Sequence, residues 1–181
     1  MIRLTASGLL YRGTNYPAQI GRAGLRHDKC EGDGATPIAT LAIIDMLYRA
    51  DRLAAPQQWA RPIGPRDLWC DDVAHTAYNH RVTAPFAASH ERLRRPDPLY
   101  DIVLITSWNY PDAVPGLGSA IFIHQRRRAG YPTAGCIALR RDHLMYLAQT
   151  ISRAETIIVP PIAAFAGAGR GPRAALAHDK A

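Results

Sequence analysis

Lysine is nearly missing from this chain: of its 22 basic residues only Lys29 and Lys180 are lysine, and the other 20 are arginine. With 15 acidic residues the formal net charge is +7, and arginine's planar fork suits carboxylates and phosphates. Aromatic residues are thin at 8%, and the two arginine clusters, Arg92/Arg94/Arg95 and Arg126-Arg127-Arg128, each have no more than one aromatic flanking them. A nucleic-acid surface interleaves such residues on one face, so no nucleic-acid partner is expected. Long hydrophobic runs are absent as well. No stretch approaches the roughly 20 apolar residues of a membrane-spanning helix, so no membrane span is expected. Met1-Ile2-Arg3 leads into a polar-interrupted segment without an apolar h-region or a small-residue cleavage site, so no signal peptide is read there. Cysteine is scarce: three cannot all pair internally, and at least one must be free, buried, metal-bound or reactive.

What the chain does hold is enough apolar surface for a core. A hydrophobic share of 48% excludes global disorder, and 14 prolines with 14 glycines favour a turn-rich fold of many short strands. Ile2–Thr5 is expected as an edge strand and Ala18–Gly21 as a second strand. Residues 28–37 form a polar loop in which Gly32 and Gly34 supply turn geometry. Ile38–Tyr48 is assigned to a strand rather than a helix because Thr-Pro precedes it. Residues 54–98 carry six of the prolines and read as a long irregular excursion, functional or a lid. Asp101–Ser107 is a β-branched, nearly continuous apolar strand buried on both faces. Ser119–His124, Cys136–Leu139 and Thr156–Val159 are further strands. Leu144, Leu147, Ala148 and Ile151 recur at helical spacing, with Asp142 as the expected N-cap. The reading is one mainly β domain over residues 1–161 with one or two helices, followed by an Ala/Gly-rich tail at 162–181.

A histidine ends one expected strand and a cysteine begins a later one, 12 positions on. If the two strands are neighbours, His124 and Cys136 stand side by side, the geometry of a thiol nucleophile and its base. Gly135 lets the chain turn tightly, and the amides of residues 134–136 are offered as an oxyanion hole. Gln125 or a nearby backbone carbonyl would orient the His124 ring. Taken alone, a Cys/His pair at this spacing is more often structural than catalytic. Cys70, His75 and His80, with Asp71 and Asp72, match no zinc spacing, so no metal and no cofactor is expected. Cys30 and Cys70 are a possible disulfide in an oxidising compartment.

Four separated segments carry a resemblance. Gly118-Ser-Ala-Ile-Phe-Ile-His124 followed by Pro132-Thr-Ala-Gly-Cys-Ile-Ala-Leu139 resembles the catalytic motif of the YkuD-type L,D-transpeptidase domain, a histidine followed by Ser/Thr-His-Gly-Cys. Glu31-Gly-Asp-Gly-Ala-Thr-Pro37 resembles that family's Thr-Pro loop. Trp69-Cys-Asp-Asp72, Tyr78-Asn79 and Tyr100-Asp101 resemble a compact bacterial subgroup with a Pro-Thr-x-Gly-Cys motif, in the same order. The resemblance spans about residues 18–159.

It implies a β-sandwich or barrel-like catalytic domain that cross-links peptidoglycan in the cell envelope or periplasm, with diaminopimelate-containing stem peptides as donor and acceptor. Cys136 would be the nucleophile and His124 the base, with Gly135, Ala134, Thr133 and Gln125 as oxyanion and supporting residues. Arg140, Asn109 and Tyr131 would contact substrate. Three departures stand out. The motif's histidine is Ala134, the family's arginine two positions after the cysteine is Ala138, and the His-to-Cys loop is short and carries Arg126-Arg127-Arg128. Strand alternation would put Arg140 on the face of position 138 as a replacement. Two rival functions keep the same motif: a carboxypeptidase or amidase-type hydrolase, and a non-catalytic peptidoglycan-binding module.

Overall fold

Frequent glycine and proline turns cut the chain into short strands, and a computed structural model describes residues 1–161. The strands are β1 Ile2–Thr5, β2 Gly8–Tyr11, β3 Thr14–Tyr16, β4 Ala18–Gln19, β5 Leu25–Arg26, β6 Thr36–Pro37 and β7 Ala39–Tyr48. They continue as β8 Arg61–Pro62, β9 Asp67–Cys70, β10 Arg81–Thr83, β11 His90–Arg92, β12 Ile102–Thr106, β13 Phe122–Gln125, β14 Ile137–Leu139 and β15 Thr156–Val159. A 3-10 turn, Pro98–Tyr100, leads into β12, and the helix α1, Arg141–Thr150, lies between β14 and β15. The expected tail at 162–181 lies outside the described residues.

The main sheet runs β3-β2-β1-β15-β7-β12-β13-β14-β4, with β8 added to β7. Its first and last strands, β3 and β4, are separated in the chain by Pro17 alone. A sheet whose two ends are joined by one residue must curl back on itself, so the fold is mainly β, barrel-like and consistent with the YkuD-like β-sandwich expected above. β1 is not an edge strand: β15 pairs with it in parallel (Ile2 opposite Ile157) and β2 in antiparallel fashion. The three-stranded sheet β10-β9-β11 occupies the 54–98 excursion, which is therefore less irregular than its prolines imply.

All five residues of β12 are buried, because both of its faces are covered. Ile102 and Leu104 join the core that holds Leu144, Leu147 and Ala148 of α1. Val103 and Ile105 face the other way, into a second cluster with Leu47, Trp69, Leu93 and Phe122. Trp69 of β9 meets Phe122 of β13 edge-on, with centroids 4.9 Å apart, and locks the smaller sheet onto the larger. Two local expectations are corrected. β13 begins only at Phe122, because Gly118 (φ 94°) and Ala120 (φ 52°) hold left-handed backbone. The N-cap of α1 is Arg140, not Asp142, which lies in the first turn and pairs with Arg140.

Candidate active site

β13 and β14 are neighbours and run parallel, with Ile123 opposite Ile137 and His124 opposite Ala138. Period-2 alternation then sorts their side chains. Ile123, Ile137 and Leu139 face the helix-side core, whereas Phe122 and Cys136 face the second cluster. His124 is two residues from Phe122 and Ala138 two from Cys136, so all four share that face. Cys136 and His124 thus stand one diagonal step apart. Both line a cavity of about 360 Å³, with Thr133, Ala134 and Gly135 beside them.

The turn before Cys136 is built by side chain-to-backbone bonds. Thr133 Oγ1 donates to the Cys136 carbonyl at 2.5 Å and accepts from the Gly135 amide at 3.1 Å. The Gly135 carbonyl accepts from buried Thr36 Oγ1 at 2.6 Å, which ties the Thr-Pro loop to the Cys136 turn. Gly135 has φ 150°, and a Cβ there would lie 2.9 Å from the Ala35 carbonyl, so no other residue fits. The Gly135 amide expected in an oxyanion hole is thus already engaged by Thr133.

The Cys136 thiol donates to the Ala120 carbonyl at 3.0 Å, and the Phe122 amide approaches the sulfur at 3.5 Å. Burial first, and the charge of Glu91 second, push that thiol up to about 12. His124 donates from Nδ1 to the Gln125 carbonyl at 2.8 Å, because a carbonyl only accepts. Its Nε2 therefore carries the lone pair. Burial holds the ring down to about 4, so it is neutral. The Tyr100 ring stands edge-on to His124 at 5.1 Å, and its hydroxyl donates to Glu91 at 2.8 Å. At rest the pair is thiol and imidazole, not thiolate and imidazolium.

Two walls and a rim surround this pair. The 28–37 loop supplies Lys29 and Glu31, and the smaller sheet supplies Glu91, with Asp71 just past the end of β9. Lys29 is buried and bonds to Asp33 at 2.7 Å. Burial pushes the Asp33 carboxyl up, but the Lys29 hydrogen bond and the amides of Ala35 and Cys30 outweigh it and hold it below its ordinary value. Tyr131 lies at the cavity's exposed rim, with the Arg127 and Arg128 guanidiniums over its ring at 5.4 and 5.2 Å.

Two expected substrate contacts are elsewhere. Arg140 is exposed, paired with Asp142, and does not line the cavity. β14 stops at Leu139 and the helix starts at Arg141, so strand alternation ends before position 140. Asn109 organises its own loop instead: it accepts from the Val114 amide at 2.7 Å and donates to the Val114 and Gly118 carbonyls at 3.0 Å. The residue that sequence reading passed over is Asn79. It is buried, its Oδ1 accepts from Trp69 Nε1 and the Ala120 amide, and its Nδ2 donates to the Asn109 carbonyl at 2.5 Å. It therefore sets the backbone at Ala120 that receives the thiol. The signal was present as the Tyr78-Asn79 pair, but its role needed the fold.

Cys30, Cys70 and Cys136 are all free, so Cys30 and Cys70 do not form a disulfide. His75 Nδ1 accepts from the Ala77 amide and His80 Nδ1 donates to the Tyr78 carbonyl, so both rings shape their loop. Among the described residues no three of these ligand types converge to hold a metal ion, and no helix is long and apolar enough to cross a membrane.

No match was found among curated proteins. A family model described as the YkuD L,D-transpeptidase catalytic domain does match, over residues 4–159, a span that takes in both strands of the Cys136 centre and the sheet that faces it. By that match the chain belongs to the YkuD family of L,D-transpeptidase catalytic domains.

Proposed function

We propose that the protein is a peptidoglycan L,D-transpeptidase of the bacterial cell envelope, working by ping-pong acyl transfer through Cys136. The observation that carries this reading is the placement of Cys136 and His124 on one face of adjacent strands in a cavity, with Nε2 of His124 uncommitted among the described residues. A diaminopimelate-containing donor stem enters the cavity. Sγ of Cys136 attacks its carbonyl while the thiol proton passes to Nε2 of His124. The resting neutral pair makes His124 a general base during attack, not the partner of a preformed thiolate. The oxyanion falls to the amides of Ala134 and Cys136, since Thr133 holds that of Gly135. His124 then protonates the departing terminal residue, a thioester remains, and an amine of the acceptor stem resolves it.

Tyr131 serves at the rim. Arg22 and Arg127 line the cavity and make no ion pair among the described residues, so they take the carboxylate-binding part first assigned to Arg140. The test is intact-mass spectrometry of the protein with disaccharide-tetrapeptide muropeptides beside a Cys136→Ala control. An adduct confined to the wild type, with cross-linked dimers in solution, is the expected result. Trimmed monomers alone would make the enzyme a carboxypeptidase, and the absence of any adduct would sink the thioester mechanism.

A further inference from the structure

Four cationic side chains line the cavity beside Cys136, and two of them are paired. Lys29 is taken by Asp33 at 2.7 Å, and Arg95 is held by Asp97 at 2.9 and 2.7 Å. Arg22 and Arg127 make no ion pair and no side-chain hydrogen bond among the described residues. Each is nonetheless held, and from a different side. The Arg22 amide donates to the Thr133 carbonyl at 2.9 Å, and Gly21 before it bridges to Thr133. Arg22 is therefore fixed to the turn that carries Cys136. Its side chain lies along Gly34, where a Cβ would come within 3.0 Å of Nε and 3.1 Å of Cζ. Arg127 instead follows β13, just beyond His124. Its guanidinium lies over the Tyr131 ring at 5.4 Å, and a guanidinium held by its face keeps its N–H edge free for a carboxylate. Arg128 shares that ring but does not line the cavity.

We infer that the two guanidiniums read two different carboxylates of the donor: Arg22 the side-chain carboxylate of the residue acylated onto Cys136, and Arg127 the terminal carboxylate of the residue that leaves. This rests on the acyl-transfer reading of the Cys136 centre and names its donor class. The donor is a stem whose diaminopimelate side chain and terminal residue both carry free carboxylates, and amidated stems are poor donors. The direction of the chemistry orients it. Nε2 of His124 hands its proton to the departing nitrogen, so the leaving residue lies on the histidine side, where Arg127 stands. The acyl residue becomes bonded to Sγ and lies over the turn to which Arg22 is fixed. Arg22 thus keeps its carboxylate through both half-reactions, whereas Arg127 releases its own with the leaving residue.

The test crosses variants with donors, following acylation of the full-length protein by intact mass. Three disaccharide-tetrapeptide donors are compared: unmodified, amidated at the diaminopimelate side chain, and amidated at the terminal carboxylate. With the wild type, each amidation should lower kcat/KM for acylation about tenfold, the effect of one charge-assisted hydrogen bond. In Arg22→Gln the unmodified donor should be about tenfold slower. Side-chain amidation should then have no further effect, while terminal amidation keeps its full effect. Arg127→Gln should show the reverse. A variant that only loosens the fold slows all three donors alike, so amidation penalties equal to those of the wild type overturn the assignment, as does the crossed pattern. A wild type that forms no thioester with any donor defeats the reading of Cys136 itself, so the two failures are told apart.

Discussion

Two sheets face each other across the cavity, and they are built on different rules. In the larger one, β12, β13 and β14 are covered on both faces, and side-chain direction follows from register alone. In the smaller one, strands of three or four residues are held in place by single side chains. Asp67 accepts from the Gly64 amide and pairs with Arg81, and Asn79 spans Trp69 and Ala120. The first arrangement is rigid and generic and suits a nucleophile that must not move. The second is made residue by residue, so a single substitution should be enough to undo it. Here the difference separates a wall set by strand register from a wall set by single side chains.

The largest effect comes from breaking the chemistry on the larger sheet without breaking the sheet. His124→Gln should lower acylation of Cys136 by about 10²–10⁴-fold, the contribution of one general base, with the unfolding midpoint little changed. Leu104→Ala, on the opposite face of the same sheet, should do the reverse. It is fully buried against the helix-side core, so it should cost about 2–5 kcal/mol of stability in denaturant unfolding, while the thiol stays reactive. If both variants lose activity and stability together, the two faces are not separable as described.

The smaller sheet should fail differently, through one residue. Asn79→Ala leaves the Trp69 indole N–H and the Ala120 amide without their buried acceptor and the Asn109 carbonyl without its donor. About 3 kcal/mol of destabilisation follows from so many lost partners. Because Ala120 also receives the thiol, alkylation of Cys136 should change in the same variant. Destabilisation with unaltered thiol reactivity would reduce Asn79 to a structural part.

A smaller effect separates the buried face by pH. His124 titrates at about 4 in the fold against 6.5 when exposed. The unfolded chain therefore binds the proton first, and stability falls as pH drops from 6.5 towards 4. At about 1.4 kcal/mol per unit, the full loss is about 3 kcal/mol. Unfolding curves between pH 7 and 4 should show it, and His124→Gln should flatten that part of the profile. An equal slope in the variant would assign the loss to other groups.

How much of this was legible in the sequence follows the same division. The β12 and β13/β14 strands and the Cys136–His124 adjacency could be read from β-branched runs and strand order, because burial on both faces leaves little else for such residues to do. Thr36 and Asn79 were visible only as parts of motifs. Each acts through a hydrogen bond to backbone far along the chain, Gly135 for one and Ala120 for the other, and no local pattern encodes such a partner. Coming first in the chain suggests an edge strand for β1, whereas its neighbour β15 arrives 155 residues later in the register that pairs Ile2 with Ile157 and Arg3 with Ile158.

Arg140 is the sharpest case, because two sound rules compete at one position. Alternation along a strand places residue 140 with 138, and Ala138 does line the cavity. Helix entry interrupts that alternation: Arg140 caps α1 and turns outward to Asp142, with both contacts at 2.5 Å and both side chains more than half exposed. An exposed pair of this kind contributes little to stability, so Arg140→Ala should change neither the unfolding midpoint nor the Michaelis constant for a muropeptide donor by more than about twofold. Arg127→Ala, at the cavity rim over Tyr131, should raise that constant about tenfold, the worth of one charge-assisted hydrogen bond. Steady-state kinetics of the two variants side by side decide between the rules. A strong effect at 140 and none at 127 would mean that the substrate reaches past the end of β14, and that the carboxylate site lies on the helix side of the cavity.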